Sequence, residues 1–119
     1  MIAAGGAHSV LVSSNEDVFV FGLNNLGQLG LGDEVPCVTQ PVKTMQFTSF
    51  KIKEISCGDE MTAILNVKGD LFTAGWKCSS RSETITHVNI PQLKANHTVK
   101  SISCGLDEMM ILSSKGLLF

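Results

Sequence analysis

Apolar residues in this chain come in short runs broken by small polar clusters, and one run of this kind recurs. Ile2-Ala3-Ala4-Gly5-Gly6-Ala7-His8-Ser9-Val10-Leu11-Val12 returns in altered form as Ile55-Ser56-Cys57-Gly58-Asp59-Glu60-Met61-Thr62-Ala63-Ile64-Leu65. It returns again as Ile102-Ser103-Cys104-Gly105-Leu106-Asp107-Glu108-Met109-Met110-Ile111-Leu112. Gly5 and Gly58 are 53 residues apart, and Gly58 and Gly105 are 47 apart. The match continues without gaps. Val18-Phe19 falls on Leu71-Phe72 and on Leu118-Phe119, Gly22 falls on Gly75, and Gly69 falls on Gly116, where the first copy has Glu16.

Each unit thus reads as small-small-Gly, an apolar run, a polar turn, a second apolar run, and Gly. This pattern predicts strand, turn, strand. The runs are rich in Val, Ile, Leu and Phe and are bounded by Ser, Asn, Asp, Lys and Gly, the composition of strands and their turns. No window of a dozen residues carries a helical stripe, and 11 glycines would interrupt most helices. A period near fifty residues points to a propeller or a solenoid. Repeat folds of this type present surfaces more often than buried reaction centres, so the pattern favours binding over catalysis.

Composition narrows the field. A hydrophobic fraction of 44% is ordinary for a folded core. A net charge of -2 and a pI of about 5.8 argue against a general nucleic-acid or anionic-membrane surface. Lys43, Lys51, Lys53 and Lys68 are interspersed with acids. No apolar stretch approaches the roughly 20 residues of a membrane span, and no basic region followed by an apolar run opens the chain. The four cysteines Cys37, Cys57, Cys78 and Cys104 form no C-x-x-C pair, so no zinc site is expected. Cys57 and Cys104 share one repeat position with Ala4 and are read as small buried residues in inner strands. This usage suggests a reducing setting, cytosolic or nuclear. The Asn96-His97-Thr98 sequon carries little weight without a secretion signal.

With Gly22-Leu23-Asn24-Asn25-Leu26-Gly27-Gln28-Leu29-Gly30-Leu31-Gly32 following Ile2 to Val12, the sequence resembles the RCC1 repeat family. That family's pattern is apolar-small-small-Gly-x-x-His, a strand, then a strand ending in Gly-x-Asn-x-x-Gly-Gln-Leu-Gly-x-Gly. The first copy matches nearly throughout. The second has Met61 in place of His and Lys77-Cys78-Ser79-Ser80-Arg81 in place of the Asn-x-x-Gly-Gln-Leu-Gly turn, and the third has Glu108 at the His position. The resemblance implies an all-β fold, an incomplete β-propeller of RCC1-type blades made of short antiparallel strands. The repeats would cover 1–50, 51–97 and a third, truncated, at 98–119. Propellers close with roughly four to eight blades, so two full repeats and part of a third would be a fragment with two apolar faces lacking neighbours. Such a chain is expected to need the remaining blades or to self-associate.

Function follows as an expectation. The resemblance implies a protein-protein interaction module within a larger regulator, with guanine nucleotide exchange on a small GTPase as the alternative. No cofactor, metal or catalytic residue is expected. Gly27 to Gly32 looks superficially like a nucleotide loop. Asp33-Glu34-Val35-Pro36 follows it instead of a helix, and a phosphate loop needs a helix N-terminus behind it. Asn24 is expected to tolerate left-handed backbone and to bond its own loop, with Leu29 and Leu31 buried beneath. His8 is read as a structural histidine bonding to loop backbone. His87 and His97, with no partner at ligand spacing, are read as surface residues. The acidic pairs Asp59-Glu60 and Asp107-Glu108 recur just after the turn glycines, and with Trp76 they are the candidate partner-contact residues.

Overall fold

The computed structural model describes residues 1–32, 35–47, 51–75, 86–91 and 97–119, with Thr86 by its backbone alone. Ten strands account for the regular structure among these residues: β1 (Ile2–Ala4), β2 (His8–Val12), β3 (Val18–Leu23), β4 (Cys37–Thr44), β5 (Ile52–Cys57), β6 (Met61–Asn66), β7 (Leu71–Gly75), β8 (Thr86–His87), β9 (Val99–Cys104) and β10 (Met109–Ser113). They form three antiparallel sheets in chain order. The first is β1-β2-β3-β4, the second β5-β6-β7-β8, and the third β9-β10, extended by a bridge between Leu112 and Leu118. Pro41, which cannot donate to a ladder, lies in β4, the outer edge of the first sheet, next to a register shift at Val20 and Gly22.

Alternation of burial along the second strand of each sheet shows how the sheets stack. In β2, His8, Val10 and Val12 are buried while Ser9 and Leu11 are not. In β6 all six residues are buried. In β10 the alternation returns, with Ile111 and Ser113 buried. Side chains alternate between the two faces of a strand, so the first and third sheets are covered on one face and the middle sheet on both. One core joins Val10, Val12, Val18 and Val20 to Ile64 and, at its edge, Ile55, Cys57 and Phe72 of the second sheet. A second joins Ala63, Leu65 and Leu71 to Ile102 and Ile111, with Cys104, Met109 and Phe119 beside them. This is an open stack of propeller blades, in agreement with the all-β, incomplete-propeller expectation.

The turn between the second and third strands is built alike three times. Ser13, Asn66 and Ser113 each donate their N–H to the carbonyl four residues on, and Glu16, Gly69 and Gly116 donate back to them. The Ser13, Asn66 and Ser113 side-chain oxygens also accept from N–H groups within the same turns. The closing residue needs positive φ: Gly69 has 89° and Gly116 79°, while Glu16, without glycine's freedom, sits at 65°.

Candidate protein-interaction face

Three turns, joining β1 to β2, β5 to β6 and β9 to β10, form one rim of the stack. Gly5, Gly58 and Gly105 each donate their N–H to the carbonyl three residues on, at 2.8 Å in every case, to His8, Met61 and Glu108. The glycines step from blade to blade. A Cβ on Gly5 would collide with the Gly58 carbonyl oxygen, and one on Gly58 would lie 2.6 Å from that of Gly105. Side chains at these positions would push the blades apart, so glycine is required by the close backbone approach. Gly6 N–H reaches Gly58 O at 3.3 Å across the first seam.

The acidic candidates lie on this rim. Asp59 and Glu60 occupy the second turn, Asp59 exposed and Glu60 half-buried, and Asp107 and Glu108 are exposed on the third. The Asp59 carboxylate packs against Gly6 of the neighbouring turn. The Glu108 side chain folds back over Gly105, its Cγ 3.2 Å from where a Cβ there would be. The stack therefore brings the two pairs, 48 residues apart in sequence, onto adjacent turns. Trp76 lies outside the described residues.

Beneath the rim, His8 is buried and bonds differently from expectation. Its Nε2 lies 2.9 Å from the hydroxyl of Thr62 on the next blade. That hydroxyl donates its single proton to Gln28 O at 2.7 Å, so His8 Nε2–H must be the donor to Thr62. The hydrogen bond to Thr62 pins one blade to the next, where the sequence suggested a bond to loop backbone. Burial lowers its pKa, opposed by the Met61 backbone and the Asp59 charge. Cys57 Sγ lies 3.9 Å from the same hydroxyl, and burial pushes its thiol up to about 11. Among the described residues, no cluster of three metal-ligating side chains forms.

The Gly-rich loop after β3 is a self-contained knot. Asn24 Nδ2 donates to Gly32 O at 2.9 Å and Val35 O at 2.7 Å, and its Oδ1 accepts from Leu29 N–H at 2.9 Å. Gln28 Oε1 accepts from Leu26 N–H, and Gly27 and Gly30 N–H close onto loop carbonyls. Leu29 is fully buried and Leu31 partly so. Left-handed backbone is supplied by Gly27, Gly30 and Gly32; Asn24 holds the loop through its side chain without entering that region.

The second seam carries contacts that sequence reading missed. Glu54 accepts from the Ser101 hydroxyl at 3.0 Å and from Ile102 N–H at 3.4 Å, Ser56 Oγ accepts from Cys104 N–H at 2.9 Å, and Lys53 donates to Lys100 O at 2.7 Å. The available signal was the polar alternation of Glu54 and Ser56 within an apolar strand. On the opposite rim, His87 and His97 line one groove with Lys68 and Asp70. His87 stands 4.0 Å from Asp70 and edge-on to Phe72, ring centroids 5.2 Å apart.

The sheets and seams define a β-propeller repeat protein. The model of the regulator of chromosome condensation (RCC1) repeat matches residues 15–65, from the turn before β3 to the end of β6. The chain belongs to the RCC1 repeat family. It is 36% identical over 129 alignment positions, gaps included, to human "Probable E3 ubiquitin-protein ligase HERC3", covering 99% of this chain and 12% of that protein. It is 27% identical to the Xenopus laevis "Protein RCC2 homolog", covering 98% of this chain and 28% of that one. The chain thus spans well under a third of these relatives. Among solved structures, human WBSCR16 superposes with a TM-score of 0.84 at 23% identity, over 100% of this chain and 33% of that one. Yeast RCC1 (Prp20), solved with Kap60, superposes with a TM-score of 0.81 at 21% identity, over 99% and 30%. Both share the fold. No helix among the described residues is long and apolar enough to cross a membrane.

Proposed function

We propose that this chain is a protein-interaction module, part of a larger RCC1-type regulator, and that its recognition rim is the row of turns bearing Asp59, Glu60, Asp107 and Glu108. The partner chemistry is a protein surface or segment rich in Lys and Arg. The observation that carries this reading is the glycine staircase, which sets two acidic pairs on adjacent turns. Prp20p of Saccharomyces cerevisiae, which shares this fold, binds Gsp1p and histones; histones are basic, which agrees with an acidic recognition rim. Trp76, which follows Gly75 in sequence, is a further candidate partner contact. The setting is cytoplasmic or nuclear, and the segment itself performs no catalysis, whatever activity the ligase-named relatives carry.

The second reading is guanine nucleotide exchange on a small GTPase. The name shared by the mouse and human relatives "X-linked retinitis pigmentosa GTPase regulator", 32% identical to this chain, favours it. Titration calorimetry with a Lys/Arg-rich histone-tail peptide tests the first reading. Binding that weakens with salt, and weakens at least about tenfold in the Asp59→Asn, Glu60→Gln, Asp107→Asn, Glu108→Gln variant, is expected. Equal binding by that variant would overturn the rim assignment. Accelerated release of labelled GDP from a small GTPase would select the exchange reading.

A further inference from the structure

We propose that the lower end of the second seam is a pocket for one aromatic side chain of a partner protein, a tyrosine. Two linkers inside the chain lead from an outer strand into the next blade, and strand register makes them comparable. Thr44 pairs with Val18, and Val88 N–H bonds to Leu71 O at the equivalent place in the second blade. Lys43 and His87 then share one position, and each faces the same acid. Lys43 lies 2.8 Å from Asp17, and His87 lies 4.0 Å from Asp70. Three residues on from Thr44 and Val88 stand Phe47 and Pro91.

The two linkers differ at that point. Phe47 is 1% exposed and belongs to the core that contains Val18 and Ile52. The equivalents of those two residues, Leu71 and Val99, lie together on a groove of about 260 Å³, with Val88 and Ile90 beside them. Pro91, in the place of Phe47, is exposed. The first seam is thus plugged by an aromatic ring where the second has an open groove. Both walls of that groove, the second blade and the start of β9, lie within the chain, away from its first and last residues.

Size and chemistry select the occupant. The groove is smaller than the roughly 300 Å³ at which pockets for drug-sized ligands begin, so it fits a side chain rather than a cofactor. Leu71, Val88, Ile90 and Val99 make one part of it aliphatic, while Lys68, Asp70, His87 and His97 make the rest polar. His97 Nδ1 is buried without a hydrogen-bond partner among the described residues. A buried nitrogen left unpaired costs free energy that a partner would recover. A tyrosine ring would cover the aliphatic part as Phe47 does in the first seam, and its hydroxyl would supply that partner. The groove is on the rim opposite the acidic turns, so the inference shares with the proposed function only the premise that the module binds proteins.

The test titrates N-acetyl-tyrosinamide and N-acetyl-phenylalaninamide into the full chain and follows backbone amides by NMR, whose dispersion also verifies that each variant is folded. The tyrosine probe should shift the Val88, Ile90 and His97 amides. It should bind about fivefold more tightly than the phenylalanine probe, the effect of one hydrogen bond. Shifts that are absent or confined to other residues overturn the pocket, and equal binding of the two probes overturns tyrosine as its occupant. His97→Leu should bring the probes level; an undiminished preference for tyrosine would overturn the role of Nδ1. Pro91→Phe puts the residue of the first linker into the second and should abolish binding of both probes while raising the melting temperature. Unchanged binding by that variant would overturn the equivalence with Phe47. The Asp59→Asn, Glu60→Gln, Asp107→Asn, Glu108→Gln variant should bind the tyrosine probe as wild type does, so failure of the acidic rim and failure of this pocket are read separately. Loss of probe binding in that variant would place the site on the acidic rim and overturn the proposal.

Discussion

His8 Nε2 donates to Thr62 Oγ1 across 2.9 Å, joining two blades whose contributing residues are 54 positions apart. The Thr62 proton is committed to Gln28 O, so the bond requires a proton on Nε2. Its Nδ1 is buried without a hydrogen-bond partner among the described residues. Charging this ring would place a cation in a buried seam.

Stability should therefore depend on pH through His8. Burial holds its folded pKa below the ordinary 6.5. An unfolded chain takes up the proton first, so stability is highest above 6.5 and falls as pH drops from there to the folded value, then levels off. Melting temperatures from pH 8 to 4.5 should show this loss, and His8→Gln should flatten the slope across that window. At pH 7.5, His8→Ala should lower stability by about 1–2 kcal/mol and Thr62→Val by about 1–3 kcal/mol, since the latter leaves two buried polar groups unpaired. Wild-type stability in both variants would mean the seam is held elsewhere.

Glu16 carries strain that glycine would relieve. At φ 65° it occupies the turn position that Gly69 and Gly116 fill in the other blades, with the same hydrogen bonds around it. Left-handed backbone costs a non-glycine residue about 1–2 kcal/mol, partly offset by the greater unfolded-state entropy of glycine. Glu16→Gly should stabilise the chain by about 0.5–1 kcal/mol, a rise of about 2–4 °C in melting temperature. A fall would show that the Glu16 side chain contributes more than its backbone loses.

The repeat made most of the fold legible. Glycines at a common position marked the turns, and flanking alternation marked the strands. What the sequence did not disclose is which face of each blade meets which neighbour. Thr62 reads as a polar interruption in Met61-Thr62-Ala63-Ile64 until the first blade is placed against it. Glu54 and Ser56 gain meaning only when β9 is alongside. Contacts across a seam depend on stacking geometry, and single-strand periodicity carries none of it. The acidic rim was visible as a recurring pair beside a turn glycine, but its assembly onto adjacent turns needed the backbone.

Close approach at the staircase separates two glycines that look equivalent in sequence. Gly58 lacks positive φ, so alanine there is opposed by sterics alone: its Cβ would sit 2.6 Å from the Gly105 carbonyl oxygen. Among the described residues, the nearest atoms to a Cβ on Gly105 are those of Glu108, with the side-chain Cγ at 3.2 Å free to swing away. Gly58→Ala should cost about 1–3 kcal/mol, while Gly105→Ala should stay within about 0.5 kcal/mol. Chemical denaturation of the two variants checks this, and equal effects would remove the staircase as the reason for glycine.

The Gly-rich loop after β3 is closed by its own hydrogen bonds. A phosphate-binding loop needs free N–H groups converging on one point, usually at a helix N-terminus. Here the Leu26, Gly27, Leu29 and Gly30 N–H groups already bond within the loop, and Asn24 alone closes it from both sides. Calorimetry should find no GTP or ATP affinity at micromolar concentrations. Low-micromolar binding would require the knot to open and would overturn its structural role. Asn24→Ala tests that role directly, because it removes three side-chain hydrogen bonds and strands Leu29 N–H in a buried site. The loss should be about 2–4 kcal/mol, more than a single bond contributes, since the groups left behind are shielded from water. Asn24→Asp keeps the acceptor for Leu29 but faces the Gly32 and Val35 carbonyls with an oxygen, so it should recover little of that stability. Full recovery by Asp would show that the two donor bonds to the carbonyls contribute nothing.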